Sequence, residues 1–236
     1  KDGRLRYKID RKKIKNIIGL RLKKISRKSK YLLFFFDKDI VMLVHLGMTG
    51  KFFFINDKKT KYKTSFYYDI NDNKDKKHDH LIFNLSNNQK LIYNDVRKFG
   101  FIKFFKRDNL DNIVHIKNLG PEPLSAQFNF KYFKNYIYKK RRVIKDLLMD
   151  QKFISGLGNI YVNEILFLSG VKPVKKIKKL TDVEIKKIIK FTKKIISKAI
   201  ILGGSSIKDF SSSSGKKGSF QQYFNVYGKR GENCPK

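Results

Sequence analysis

The stretch Leu119-Gly120-Pro121-Glu122-Pro123-Leu124 separates two parts of the sequence that differ in hydrophobic periodicity. It contains two of the four prolines in the chain, and proline ends regular elements because its ring fixes φ and it has no amide hydrogen. Apolar residues alternate with a period of two before this stretch and recur with a period of 3.6 after it. We therefore predict a domain boundary, with a first domain at residues 1–118, a linker at 119–127 and a second domain at 128–236.

Short segments rich in Phe, Ile, Leu and Val precede the boundary and are separated by polar turns, which predicts β-strands. The predicted strands are Tyr31–Phe36, Ile40–His45, Lys51–Ile55, His80–Leu85, Leu91–Tyr93 and Phe101–Phe105. An antiparallel sandwich or a barrel fits this pattern. The Lys, Asp and Asn residues between Asn56 and Lys77 predict a solvated hairpin or insertion.

Four helices are predicted after the boundary, at Phe130–Tyr138, Val143–Lys152, Asn159–Ser169 and Thr181–Leu202. In the last of these, Thr181 and Glu184 have the spacing of a capping box, and Gly203-Gly204 provides the end signal. Its apolar stripe consists of Ile185, Ile188, Ile189, Ile195, Ile196, Ala199 and Ile200. Strands followed by helices predict an α+β fold.

The chain is strongly basic, with 55 Lys and Arg against 20 Asp and Glu and a formal net charge of +35. Nucleic acid is the leading partner, because each phosphate that a cation neutralises releases counterions. The abundance of Lys, Ile, Asn and Phe also indicates codon bias, which accounts for part of this charge. The hydrophobic content of 41% excludes a chain that is disordered throughout.

One cysteine, Cys234, excludes an internal disulfide framework and favours a reducing compartment. No apolar run is long enough to cross a bilayer, and the first residues have no signal-peptide core, so we expect a cytoplasmic, nucleoid-associated protein without a membrane partner. The chain opens on Lys1 and stops two residues after Cys234, which suggests a fragment.

The turn Gly156-Leu157-Gly158 directly precedes a predicted helix that begins at Asn159. Such a turn leaves backbone amides free at the positive end of the helix dipole, which suits a phosphate, although an ordinary packing turn has equal standing. The cations Lys139 to Arg142 and Lys145 lie just upstream on the preceding helix. His78-Asp79-His80 lacks an evident third ligand, which disfavours a metal site there.

Nine segments occur in an order that resembles the bacterial formamidopyrimidine-DNA glycosylase family, whose members remove 8-oxoguanine and ring-opened purines. They are Arg27 to Leu32, His45 to Gly50, Lys77 to His80, Asp95 to Gly100, Leu119 to Leu124, Leu148 to Asp150, Gly158 to Tyr161, Gly203 to Phe210 and Val226 to Glu232. The resemblance implies an N-terminal antiparallel β-sandwich, then a helix-two-turns-helix domain and the start of a zinc ribbon. It also implies a monomer that acts on damaged double-stranded DNA, flips out the damaged nucleotide, forms a Schiff base at C1′ and cleaves by β,δ-elimination.

The resemblance assigns roles to particular residues. Met48, Arg97 and Phe99 would fill the hole left by the extruded nucleotide, with Arg97 facing the orphaned cytosine. Contacts to DNA are implied for His45, His78, Arg97, Lys140, Lys145 and Asn159, and Lys30 would contact the backbone and transfer protons. The loop 211–220, with Ser213, Gly215, Lys217, Ser219 and Phe220, corresponds to a loop that closes on the extruded base.

Two features depart from the family pattern. The N-terminal proline nucleophile and the glutamate after it are absent from this chain, so we expect it to bind DNA without normal lyase activity. Cys234 matches one of four zinc ligands, so a structural zinc is expected in a complete protein and none in this chain. The alternatives are an endonuclease VIII-type glycosylase for oxidised pyrimidines, and a non-catalytic nucleic-acid-binding remnant, which would show no preference for 8-oxoguanine.

Overall fold

In the computed structural model, which describes residues 5–55, 61–63, 75–205 and 218–235, the chain forms two compact units. Of the described residues, those up to Ile116 and Gly218 belong to the first unit, and the second contains Lys117–Ser205 and continues from Ser219. Strands dominate the first unit and helices the second, which confirms the α+β prediction.

The first unit contains eight strands in its described residues, arranged in two antiparallel four-stranded sheets. The strands are β1 Leu22–Lys28, β2 Tyr31–Phe36, β3 Ile40–His45, β4 Lys51–Ile55, β5 Lys61–Lys63, β6 Asp79–Asn84, β7 Lys90–Asn94 and β8 Phe101–Lys106. One sheet has the order β1-β2-β3-β8 and the other β5-β4-β7-β6. Phe34 and Met42 of one sheet share a buried core with Phe52 and Tyr93 of the other, so the sheets pack as a sandwich.

Two elements near the start of the chain were not predicted, namely α1 Arg11–Lys15 and β1. In β1 every side chain except that of Ser26 is exposed, because the strand lies at the edge of its sheet among the described residues. A strand that buries so little has no alternating pattern to read. The segment predicted as a solvated insertion contains β5, which pairs with β4.

The remaining helices are α2 Val114–Lys117, α3 Phe130–Ile137, α4 Ile144–Met149, α5 Asn159–Ser169 and α6 Asp182–Ile201. α5 has the predicted bounds. The predicted capping box is also present, since Glu184 N donates to Thr181 Oγ1 at 3.2 Å and Thr181 N donates to Glu184 Oε2 at 2.8 Å. α3 to α6 enclose a core that includes the buried Phe133, Leu147 and Phe153.

Two details of the helix predictions are wrong. α4 ends at Met149, three residues early, because Asp150 is extended and its Oδ1 accepts from Lys152 N at 2.9 Å. In α6, Ile200 is 64% exposed, whereas Thr192 is buried and satisfies its hydroxyl by donating to Ile188 O at 2.7 Å. Across the described ranges, no helix combines the length and apolar character needed to cross a membrane.

Candidate nucleic-acid interface

An open cleft of about 910 Å³ in the first unit brings together five of the predicted site residues. Its lining contains the predicted Lys30, His45, Met48, Arg97 and Phe99, together with Arg6, Leu46, Gly47 and Lys98. Within the part of the chain that the structure describes, the lining includes four cationic residues, one histidine and no acidic side chain, so its electrostatic character suits a polyanion.

Three of these side chains project from two turns. Met48 is 49% exposed and Phe99 is 46% exposed, although both are large apolar residues. The guanidinium carbon of Arg97 lies 4.6 Å from the centroid of the Phe99 ring, within cation–π distance. Exposed apolar side chains beside a stacked arginine are suited to insertion between bases.

The first turn, residues 46–50, follows β3 and is closed by a hydrogen bond from Gly50 N to Leu46 O at 2.8 Å. Gly47 has φ of +65°, and a Cβ at this position would lie 2.7 Å from both Gly100 N and Phe99 C. Only glycine therefore allows this turn to contact the second one, residues 95–100, which joins β7 to β8.

His45 is held as a neutral donor at the end of β3. Gly47 N donates to His45 Nδ1 at 3.1 Å, which leaves the hydrogen on Nε2. Burial lowers the pKa of His45 to about 4, and the charges of Lys30 and Arg6 act in the same direction. The imidazole is therefore uncharged at neutral pH and offers an Nε2–H group.

Lys30 and Arg6 supply cations to the cleft. The Lys30 side chain as a whole is exposed, but enough protein surrounds its ammonium group that burial lowers its pKa. A lowered pKa increases the fraction of neutral amine, which is what proton transfer by lysine requires. Sequence reasoning gave no role to Arg6, whose backbone N donates to Gly100 O at 3.0 Å.

Sequence reasoning also gave no individual role to Thr49 and Asp95, although both lie within segments that it singled out. Thr49 is 2% exposed and Asp95 is fully buried, so neither is a surface contact. No sequence signal marked either residue, because their burial depends on tertiary structure.

Neither His78 nor His80 lines the cleft, and each forms a hydrogen bond with the backbone of Asp95. His80 Nε2 donates to Asp95 O at 2.8 Å, and Asp95 N donates to His78 O at 3.1 Å. Within the residues the structure describes, no group of three or more His, Cys, Asp or Glu side chains is arranged to hold a metal. Cys234 is exposed, and the described residues supply no such group around it, so they do not fit a four-ligand zinc site.

In the second unit, Asn159 begins α5 directly after the extended Gly158. The turn before it is fixed by Gln151, which accepts from Gly156 N at 2.8 Å and donates to Leu157 O at 2.9 Å. Amides in the first turn of an α-helix have no acceptor within the helix, so this end suits an anion. Gln151 is a further residue that sequence reasoning missed.

The predicted cations of the second unit lie on two elements. Lys140 is exposed in the connection between α3 and α4, and its Nζ lies 3.1 Å from the centroid of the Tyr136 ring. Lys145 is half-buried in the first turn of α4. Lys139 to Arg142 therefore lie in a connection and not on a helix as predicted, and Arg142 is held in an ion pair by Asp150.

Of the predicted base-capping loop, Ser213, Gly215 and Lys217 lie outside the described residues. Ser219 N donates to Leu202 O at 3.1 Å. Phe220 is 3% exposed and belongs to the core of the second unit, with its ring centroid 5.6 Å from that of Tyr161. Phe220 is therefore a packing residue in this structure and is not exposed at a loop tip.

Comparison with known proteins gives a consistent result. The model of the formamidopyrimidine-DNA glycosylase N-terminal domain matches residues 1–102, and that of the formamidopyrimidine-DNA glycosylase H2TH domain matches residues 119–211. Formamidopyrimidine-DNA glycosylases of Rickettsia massiliae and Rickettsia bellii are 39% and 40% identical over 99% of this chain and 78% and 80% of their own lengths. The Lactococcus lactis Fpg in complex with DNA containing an abasic site is 35% identical, with a TM-score of 0.79 over 95% of this chain and 78% of that one.

Proposed function

Because this chain belongs to the formamidopyrimidine-DNA glycosylase family, the glycosylases of DNA base-excision repair, we propose that its cleft binds damaged duplex DNA. Side chains of the cleft then occupy the space left in the duplex by an extruded nucleotide. The observation that carries this proposal is the exposure of Met48, Arg97 and Phe99 together at one cleft that Lys30, Arg6 and Lys98 also line. A base that undergoes excision must leave the stack, and the vacated space must be filled.

The three side chains have different tasks. The flexible thioether of Met48 enters the hole, and the flat ring of Phe99 wedges the neighbouring base step. The guanidinium of Arg97 donates hydrogen bonds to the orphaned base, and cytosine presents acceptors that suit it. The stacking of Arg97 on Phe99 limits the freedom of both side chains before DNA arrives.

Groups that contact phosphate accompany them. The Nε2–H of neutral His45 donates to a backbone phosphate in our proposal, and Lys30 and His78 add further contacts. Lys30, whose pKa burial lowers, also moves protons during strand cleavage. A purine lesion such as 8-oxoguanine or a formamidopyrimidine is the substrate that the family implies, and chromosomal DNA implies a cytoplasmic, nucleoid-associated site of action.

The second unit binds DNA backbone through Asn159, Lys140 and Lys145. The Asn159 amide and the first-turn amides of α5 form an anion site, which the helix dipole strengthens. The two lysines contribute charge from the α3–α4 connection and from α4. These contacts position the duplex and carry no sequence information.

A binding assay tests the proposal without requiring turnover. Fluorescence anisotropy would compare duplexes containing 8-oxoguanine, an oxidised pyrimidine or no lesion, each at several salt concentrations. We expect tightest binding to 8-oxoguanine paired with cytosine, and equal affinity for all three would contradict the proposal. A preference for the oxidised pyrimidine would instead support the endonuclease VIII-type alternative.

Two substitutions separate the roles. Arg97→Ala should abolish the preference for cytosine opposite the lesion, whereas the matched control Arg107→Ala, at an exposed arginine after β8, should preserve it. Lys145→Ala should weaken binding to all duplexes alike and lower the salt slope by about 0.9, the value for one phosphate contact. The matched control for Lys145 is Lys187→Ala, at an exposed lysine of α6.

A further inference from the structure

The two turns that carry Met48, Arg97 and Phe99 are in direct backbone contact. Gly47 of the first turn approaches Gly100 and Phe99 of the second so closely that a Cβ would overlap them. Protein interiors packed this tightly move as a unit, since neither part can shift without displacing the other.

One hydroxyl group joins the two turns. Thr49 Oγ1, next to Met48, donates to Asp95 Oδ1 at 2.5 Å and accepts from Arg97 N at 3.0 Å. The hydroxyl group therefore both donates a hydrogen bond to the second turn and accepts one from it. The backbone of Arg97 is tied in this way to the residue that follows Met48.

The Asp95 carboxylate completes the connection. Its Oδ2 accepts from Gly100 N at 2.8 Å and from the Tyr93 hydroxyl at 3.5 Å. A buried carboxylate forms stronger hydrogen bonds than a neutral acceptor, and losing one partner leaves a charge incompletely compensated. Between these bonds Lys98 adopts a φ of +58°, a left-handed conformation that costs free energy for a lysine and persists only where its surroundings hold it.

We propose that Thr49 and Asp95 are positioning residues that join the two turns into one preformed wedge, so that Met48, Arg97 and Phe99 enter the duplex together. This inference rests on the proposed function of those three side chains. Thr49 is 2% exposed and Asp95 is fully buried, so both act through the turns and touch no DNA. A wedge formed before binding avoids the entropic cost of ordering two turns on the duplex.

The consequence is that discrimination of the opposite base depends on a buried hydroxyl. Thr49→Val removes the hydroxyl and keeps the shape of the side chain, whereas Thr49→Ser keeps the hydroxyl. Thr192→Val is a matched control, because Thr192 is also buried and also donates its hydroxyl hydrogen, to Ile188 O of α6.

The experiment measures the affinity of the full chain for duplexes with a tetrahydrofuran abasic analogue opposite cytosine or adenine, and for undamaged duplex. We expect Thr49→Val to lower the cytosine-to-adenine affinity ratio about tenfold, which is the effect of losing one well-placed hydrogen bond between Arg97 and the orphaned cytosine. The affinity for undamaged duplex should not change. Thr49→Ser and Thr192→Val should keep the wild-type ratio.

The outcomes distinguish this inference from the proposed function. If Arg97→Ala abolishes the ratio and Thr49→Val leaves it intact, the positioning role is wrong and the proposed function stands. If Arg97→Ala leaves the ratio intact, the proposed function fails. An equal loss on all three duplexes for Thr49→Val would show a role in folding alone and would also overturn the positioning role.

A measurement on the wild-type chain covers the case in which Thr49→Val does not fold. Hydrogen exchange should show the Arg97 and Gly100 amides protected in the absence of DNA, because both donate within the connection. Exchange of the Arg97 amide at the rate of an unstructured peptide would overturn the proposal.

Discussion

Replacing Glu164 by Gln tests how the second unit holds its C-terminal segment. Glu164 is 1% exposed on α5, and its carboxylate accepts four hydrogen bonds. Oε2 accepts from the backbone N and Nδ2 of Asn225, at 2.8 and 2.9 Å. Oε1 accepts from Val226 N and Tyr227 N, at 3.0 and 2.9 Å. Three consecutive amides thus depend on one charge.

The magnitude follows from this geometry. Glutamine replaces one oxygen by an NH₂ group that faces two donors, so either orientation of the amide loses two hydrogen bonds. A hydrogen bond to a charged group contributes about 1.5–3 kcal/mol, so the loss is about 3–6 kcal/mol. Relaxation of the half-buried residues 225–227 favours the lower end, and we expect the free energy of unfolding of the second unit to fall by about 3 kcal/mol.

Urea denaturation followed by circular dichroism would measure the change. Hydrogen exchange should show faster opening at the amides of residues 225–227. The matched control is Glu232→Gln, at an exposed glutamate, which should change the unfolding free energy by less than about 0.5 kcal/mol. If Glu164→Gln also changed the unfolding free energy by less than about 0.5 kcal/mol, the idea that this carboxylate anchors the segment would be refuted.

Further predictions concern pH, capping and backbone contact. Because burial lowers the pKa of His45 to about 4 from 6.5, the folded state resists protonation. The free energy of unfolding should not depend on His45 above pH 6.5 and should fall as the pH drops from 6.5 towards 4. His45→Asn keeps an acceptor for Gly47 N and should flatten a plot of Tm against pH in that window. Thr181→Ala removes one bond of the capping box and should cost about 1 kcal/mol in urea denaturation, whereas Thr181→Ser should cost little. Gly47→Ala should separate the two turns and reduce affinity for a duplex with an abasic analogue more than for undamaged duplex, and equal losses in the anisotropy assay would contradict this.

The sequence predicted the elements that are compact apolar runs. β2, β3, β4 and α5 have the predicted bounds, because each is a run of mostly apolar residues with turn residues beside it. β1 was missed because it buries almost nothing, and α1 because it has only five residues, most of them cationic. Ile200 was assigned to the buried stripe because helical spacing alone does not show where the partner surface ends.

The candidate site was predictable to a different extent. The resemblance named Met48, Arg97 and Phe99, and they do lie on one cleft, although the sequence could not show that Gly47 packs against Gly100. Thr49 and Asp95 are 46 positions apart, and a hydrogen bond between them depends on tertiary structure that periodicity does not encode. Arg6 was missed for the same reason, since only its pairing with Gly100 brings it to the cleft.

The exposed edge of β1 has a consequence for the behaviour of the protein at high concentration. This strand carries Lys23, Lys24, Arg27 and Lys28 beside the exposed Ile25, and a strand edge offers unpaired amides and carbonyls to another molecule. Lys23 and Lys28 form ion pairs with Asp37 and Asp111, but the charge of the strand and these partners together is still positive. Repulsion between two such edges discourages self-association, and it weakens as added salt shortens the screening length. We therefore expect part of the basic charge to keep the protein dispersed, and we expect the high-salt buffers that strip nucleic acid from it to favour aggregation as well.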